Sequence, residues 1–239
     1  MEQLSIFPDS RPPRTVSWNL WHGCTKVSPG CMHCYMFRQD ESVGRDPTIV
    51  RKTQAFTLPV SRFGSGPNKG QYRIPPGSHL YTCFSSDFFH IAADEWRPEA
   101  WAMIRERADC TFFMITKRPE QIPDHLPPIT LPLRHRSVMV EPFLERVNLR
   151  PYLETHLVEA VSAGGESGPE ARPCDFDWVL DLRAQCVDSG VNFFYHQTGA
   201  RLIKDGRCYQ IPRHLQHIQA RKAGLDYNAP DLFSTIPGE

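Results

Sequence analysis

Six short runs rich in β-branched and aromatic residues punctuate this chain and alternate with segments of helical periodicity. They are TVSW (15–18), HLYTCF (79–84), CTFFMIT (110–116), HRSVMV (135–140), LVEAVSA (157–163) and VNFFYHQ (191–197). Such alternation favours βα units around a parallel sheet over a sandwich or a helix bundle. Of the intervening segments, RPEAWAMIRERA (97–108) carries Pro98 in its first turn and apolar residues three and four apart, the marks of an amphipathic helix. DFDWVLDLRAQCVDSG (175–190) opens on a capping Asp175 and closes on Gly190, and a third helix is expected from Pro212 to about Ala223. The Gly/Ser/Pro-rich stretch 61–78 reads as a surface loop. The expected fold is α/β, an open or partial (β/α) barrel of about six parallel strands in a single domain over 15–227. An N-terminal extension (1–14) and a C-terminal tail (228–239) flank it.

Composition narrows the class. With 40% hydrophobic and 23% charged residues, and 27 basic against 27 acidic side chains, the chain reads as an ordinary soluble globular protein. Global charge points to neither a nucleic acid nor a membrane. The start, MEQLSIFPDSRPPRT, lacks the apolar core of a signal peptide, and no window approaches the roughly 18 apolar residues of a membrane span. The cytoplasm is therefore the expected compartment. Thiols stay reduced there, and clustered ones are more often ligands or catalysts than disulfides. Of eight cysteines, Cys83, Cys110, Cys174, Cys186 and Cys208 share no short spacing. Cys83, Cys110 and Cys186 sit in apolar runs, where a buried inert thiol is the simpler reading.

Polar groups recur directly after the β-runs. The first run precedes the cysteine loop, the second Ser85, Ser86 and Asp87, the third Lys117 and Arg118. The fourth precedes Glu141, the fifth Gly164, Gly165 and Glu166, and the last ends in His196 and Gln197. In parallel α/β folds the carboxyl ends of the strands are where sites are built, so this pattern points to an enzyme. Asp87 suits a ribose hydroxyl or a cofactor amine, or else caps the following helix. Lys117 and Arg118 suit a carboxylate or phosphate, or form a solvated strand end. Glu166 between small residues suits an amine, or merely belongs to a tight turn. His196 and Gln197 suit a proton relay at the barrel mouth, or a satisfied core.

The loop WHGCTKVSPGCMHCYMF (21–37) places Cys24, Cys31 and Cys34 in a C-x6-C-x2-C spacing. A closed zinc site would need a fourth ligand, for which His22, His33 or a distant cysteine are candidates. A [4Fe–4S] cluster held by three thiolates would keep one iron open to a small molecule. Unligated structural thiols are the third reading.

The segment Trp18–Tyr35 resembles the signature of a phage-associated family of uncharacterised radical-SAM-like proteins with a three-cysteine motif. SSDFFH (85–90), ITKRPE (115–120), EPFLERVNLRPYL (141–153), the stretch from GGESGPEARPCDF (164–176) to Val191, and FFYHQTGARLIKDGRCYQIPRHLQHIQARKAG (193–224) resemble it too, in the same order. The resemblance covers most of 15–227. It implies a partial (β/α) barrel binding a [4Fe–4S] cluster through Cys24, Cys31 and Cys34, together with S-adenosylmethionine. Tyr35 would lie beside the adenine, and Ser85, Asp87, Lys117, Glu141, Gly164, Gly165 and Glu166 would belong to the cofactor site. One electron from a reductant protein would cleave the sulfonium to a 5′-deoxyadenosyl radical, which abstracts hydrogen from an unknown substrate. A nucleotide or nucleic acid is the favoured substrate class. Two features differ from the wider superfamily: six residues rather than three separate the first two cysteines, and the GGE triplet comes late. Only Gln121 to Arg134 fills a place where relatives carry a further strand. The alternative is a zinc- or cluster-stabilised nucleic-acid-binding protein without catalysis, using the basic residues Arg201, Lys204, Arg207, Arg213, His214, His217, Arg221 and Lys222.

Overall fold

The computed structural model describes residues 13–126 and 136–230. Most of the expected N-terminal extension and C-terminal tail, and the greater part of 121–134, lie outside the described residues. The chain is mixed α/β and forms two compact units. The first takes in the described residues up to Ser28 and from Met36 to 126, the second Pro29–Tyr35 and the described residues from 136 onward.

In the first unit, strands β1 (Thr15–Trp18), β4 (His79–Thr82) and β5 (Thr111–Phe113) make a parallel sheet in the order β1-β4-β5. The short strands β2 (Trp21–His22) and β3 (Arg51–Lys52) pair antiparallel. Helices α1 (Tyr35–Ser42, whose first residue counts with the second unit), α2 (Arg97–Glu106) and α3 (Ile122–His125) complete the elements. The period of two along the strands sends Trp18 and Leu80 into the core while Ser17 and Thr111 leave it. Trp21, Phe88 and Trp101 pack there as one aromatic group, with ring centroids 5.5 and 5.0 Å apart. The Trp18 indole donates to the Ala55 and Phe56 carbonyls, so the core also anchors the long segment before β4. β5 is shorter than its β-rich run, and beyond it the Thr116 hydroxyl donates to Asp87.

The second unit holds the parallel sheet β6-β7-β9, from β6 (Ser137–Val140), β7 (Ala160–Gly164) and β9 (Asn192–Gln197), with Val138, Val161 and Phe193 in register. Helix α4 (Arg150–Leu153) precedes β7. The short β8 (Cys174–Asp175) runs parallel to β10 (Arg201–Lys204), which forms a hairpin with β11 (Arg207–Gln210). Asp205 and Gly206 take φ of 52° and 72°, the left-handed pair that a two-residue hairpin turn requires. Helix α5 (Phe176–Asp188) starts where the Asp175 carboxylate accepts from the Asp177 N–H at 2.9 Å. It buries Val179, Leu182 and Cys186, three and four residues apart, on the core with Phe143, Leu153 and Phe193. Helix α6 (Arg213–Lys222) packs on β9.

All six expected strands are therefore present and parallel within their sheets, and the three expected helices are α2, α5 and α6. Among the described residues the strands form separate sheets, none closed on itself.

Candidate functional site

Cys24 sits where the chain leaves β2. Gly23 has φ +99°, and a Cβ there would collide with the Ile49 carbonyl. Only glycine lets the backbone pass so close. The Gly23 N–H donates to the Ser85 carbonyl at 3.0 Å and the Cys24 N–H to the Pro47 carbonyl at 2.8 Å. Ser85 returns its hydroxyl to the Trp21 carbonyl at 3.2 Å, and Ser86 donates to the Gly23 carbonyl. The serine pair after β4 thus stitches the start of the cysteine loop to the sheet edge.

Asp87 and Arg118 are 4% and 6% exposed and form an ion pair at 3.0 Å. The Asp87 carboxylate also accepts from the Phe89 N–H at 2.9 Å, the Thr116 hydroxyl at 2.7 Å and the Lys117 N–H at 2.8 Å. Four donors fill the roughly four lone-pair sites of a carboxylate. Arg118 reaches past Asp87 to the loop. Its Nη1 donates to Cys24 Sγ at 3.6 Å, and its Nη2 to the Thr25 carbonyl and hydroxyl at 2.7 and 2.9 Å. Burial disfavours the guanidinium charge, but Cys24 and Asp87 outweigh it and raise the Arg118 pKa. Thr25 Oγ1 also meets His90 Nε2 at 3.1 Å, and burial, reinforced by Arg118, pulls that imidazole below its ordinary value. Lys117 is exposed and Arg118 buried.

Cys31 and Cys34 belong to the second unit. Pro29–Cys31 makes one 3-10 turn, and the Cys34 N–H donates to the Cys31 carbonyl at 3.3 Å, so the C-x2-C pair sits on a tight turn just ahead of α1. Tyr35 opens that helix with 46% of its surface exposed. His33, between the two cysteines, places Nδ1 3.2 Å from Glu166 Oε2. Glu166 is 5% exposed and accepts from Arg172 three times: from the backbone N–H at 2.8 Å, Nε at 2.9 Å and Nη2 at 2.6 Å. The same Nη2 donates to the Pro29 carbonyl at 3.0 Å. Burial opposes ionisation of Glu166, yet the bonds from Arg172 and His33 overcome it and hold the carboxyl at about 2. The carboxylate of the GGE triplet is thus held by four protein donors and braces the C-x2-C turn.

The glycines before it serve close packing. A Cβ on Gly164 would collide with the Glu141 carboxylate, and one on Gly165 with the Thr198 carbonyl. Glu141 pairs with His196 Nδ1 at 2.9 Å and accepts from the Gln197 amide. Gln197 continues through Ser167 at 2.9 Å to Gln216. This network joins the ends of three parallel elements of the second unit. The bond from Glu141 raises the His196 pKa despite partial burial, so the charged pair is complete below pH 6.5 and lost as pH rises through the raised value. In an NMR titration the His196 ring is expected to titrate above its ordinary value, and Glu141→Gln to bring it down. An unchanged midpoint in the variant would refute the pairing.

The polar strand ends thus resolve into a Cys24–Arg118–Asp87 group in the first unit, and a His33–Glu166–Arg172 group and the Glu141–His196–Gln197 network in the second. Arg172 was not singled out from the sequence, where it lies in a Pro/Gly-rich turn with no spacing signal. Of the remaining thiols, burial pushes Cys174 and Cys186 up to about 12, which suits inert core positions. Among the described residues, no three or more His, Cys, Asp or Glu side chains form a group that could hold a metal ion, and no helix is long and apolar enough to cross a membrane. The donor set around the loop nevertheless has the chemistry a thiophilic metal centre uses: three thiols within eleven residues, one of them beside a fixed cation.

Comparison with protein families finds one model, described as "Protein of unknown function (DUF5131)", that matches residues 14–132 and 129–229. No curated protein and no solved structure matches the chain.

Proposed function

The chain belongs to the DUF5131 family, and from its own residues we propose that it is a radical S-adenosylmethionine-type iron–sulfur enzyme with a partial (β/α) barrel, working in the cytoplasm. The observation that carries this reading is the C-x6-C-x2-C loop, with Cys24 engaged by a buried guanidinium. Three thiolates would hold a [4Fe–4S] cluster with one iron open, and a bound cluster would supply the electron that cleaves S-adenosylmethionine to a 5′-deoxyadenosyl radical. Cys24, Cys31 and Cys34 would be the thiolates that hold the cluster. Tyr35, exposed beside Cys34, offers a ring for the adenine, and Lys117 a cation for the cofactor carboxylate. Glu141, Gly164 and Gly165 would belong to the cofactor site through its packed polar edge, where Glu141 fills the space beside Gly164 and Thr198 that beside Gly165. Asp87 and Glu166 each already accept from four protein donors, so they act indirectly, through Arg118 and Arg172. Ser85 holds the loop to the sheet edge. A reductant protein supplies the electron, and a nucleotide or nucleic acid is the favoured substrate class.

Anaerobic reconstitution with ferrous iron and sulfide tests the reading. The expected product carries about four irons per chain and forms 5′-deoxyadenosine after reduction in the presence of S-adenosylmethionine. Stoichiometric zinc, with neither cluster nor cleavage, would replace it with the metal-stapled binding protein.

A further inference from the structure

We propose that Arg118 is a positioning residue which fixes the Cys24 thiol and sets the reduction potential of the metal centre by holding a fixed positive charge at that ligand. The inference rests on the iron–sulfur reading above and adds to it a residue that acts through Cys24.

Arg118 lies 94 residues from Cys24 in sequence and is almost fully buried. Neutralising Asp87 alone would need only one nitrogen of its fork. Instead both terminal nitrogens are turned to the loop: Nη1 is shared between Asp87 Oδ2 and Cys24 Sγ, and Nη2 is given wholly to Thr25. The planar fork therefore grips the Cys24 side chain and the next residue at the same time, fixing the direction of the thiol. A lysine, with a point charge on a flexible stem, could not span both. Asp87 is itself fixed by the Thr116 hydroxyl and by two backbone N–H groups, so the cation is held from behind by the ends of β4 and β5. One-electron reduction adds negative charge to a cluster, and hydrogen bonds and cations at its ligand sulfurs stabilise the reduced form. Arg118 is itself buried beside the half-buried Cys24, so solvent screens that influence less than it would at the surface.

Midpoint potentials of the reconstituted wild type, Arg118→Lys and Arg118→Gln test this, each titrated anaerobically against redox mediators and read on the iron-loaded fraction. The couple is expected to shift to more negative potential in Arg118→Gln and to fall between in Arg118→Lys. Equal potentials in all three overturn the inference. Should neither variant fold, the wild type labelled with 15N-arginine decides: a nitrogen hyperfine coupling to the reduced centre supports the contact, and its absence overturns it. A wild type that takes up no iron sinks the enzyme reading and this inference together. A loaded, S-adenosylmethionine-cleaving protein with unshifted potentials sinks this inference alone.

Discussion

Alanine at Cys34 is expected to reduce iron uptake to background after anaerobic reconstitution, whereas alanine at Cys186 leaves it at the wild-type level. The contrast follows from where the thiols stand. Cys34 is half-buried on the turn ahead of α1, with Cys31 in the same turn, and Cys24 precedes them on the same loop. Removing one of three thiolates leaves two, too few to retain a cluster that is ordinarily held by four. Cys186 is fully buried on α5 and pushed up to about 12 by that burial, so it is neither ionised nor accessible near neutral pH. Its substitution would register as lost stability instead of lost metal. Iron and sulfide analysis of both variants checks the prediction. Wild-type iron in Cys34→Ala would show that the loop is not the ligand.

Arg172→Ala is expected to destabilise the protein by about 3 to 5 kcal/mol near neutral pH, the range for removing one partner of a buried ion pair. The Arg172 side chain is 28% exposed and Glu166 only 5%, which favours the lower end of that range. The loss comes from the carboxylate left behind, with His33 as its one remaining side-chain donor and the backbone N–H of residue 172 as the other. The pH dependence gives a sharper test. Because the Glu166 pKa is lowered from 4.5 to about 2, its ionised form contributes stability that is complete above pH 4.5 and lost as pH falls through about 2. The shift corresponds to on the order of 3 kcal/mol. Urea unfolding of wild type and Arg172→Ala should therefore diverge most near pH 6 and converge toward pH 2. A gap that stays constant across that range would mean the pair adds nothing through its charge. Since Arg172 also donates to the Pro29 carbonyl, the variant should loosen the C-x2-C turn and lower iron loading as well.

Much of the secondary structure was legible because its causes are local. The six β-rich runs became β1, β4, β5, β6, β7 and β9, since β-branched and aromatic residues at a period of two suit a half-buried strand in almost any context. Asp175 capped α5 where the sequence placed it, because an N-cap needs nothing beyond the next two residues. The β10–β11 hairpin was missed although its signal was present: Asp205–Gly206 is a two-residue hairpin turn, flanked by Leu202, Ile203, Cys208 and Tyr209. Those strands stand in a sheet with β8, which is two residues long and carries almost no pattern.

The candidate site divides along the same line. The C-x6-C-x2-C spacing, the glycines at Gly164 and Gly165, and the acidic and basic groups after each strand are properties of the chain by itself, and they mark the region. What each acid does was decided in three dimensions. On the sequence Asp87 suits a ribose hydroxyl, an amine or a helix cap, and Glu166 an amine or a tight turn, yet each is engaged by an arginine 31 or 6 residues away and by further N–H or O–H donors. A buried carboxylate cannot stay ionised without such partners, and which cation arrives depends on how strands and turns bring distant residues together. The sequence alone determines the spacing of the thiols and the parallel α/β pattern, because spacing and periodicity are local. Only tertiary packing assigns Arg118 to Cys24 and Arg172 to Glu166, because electrostatic pairing acts through space and is blind to distance along the chain.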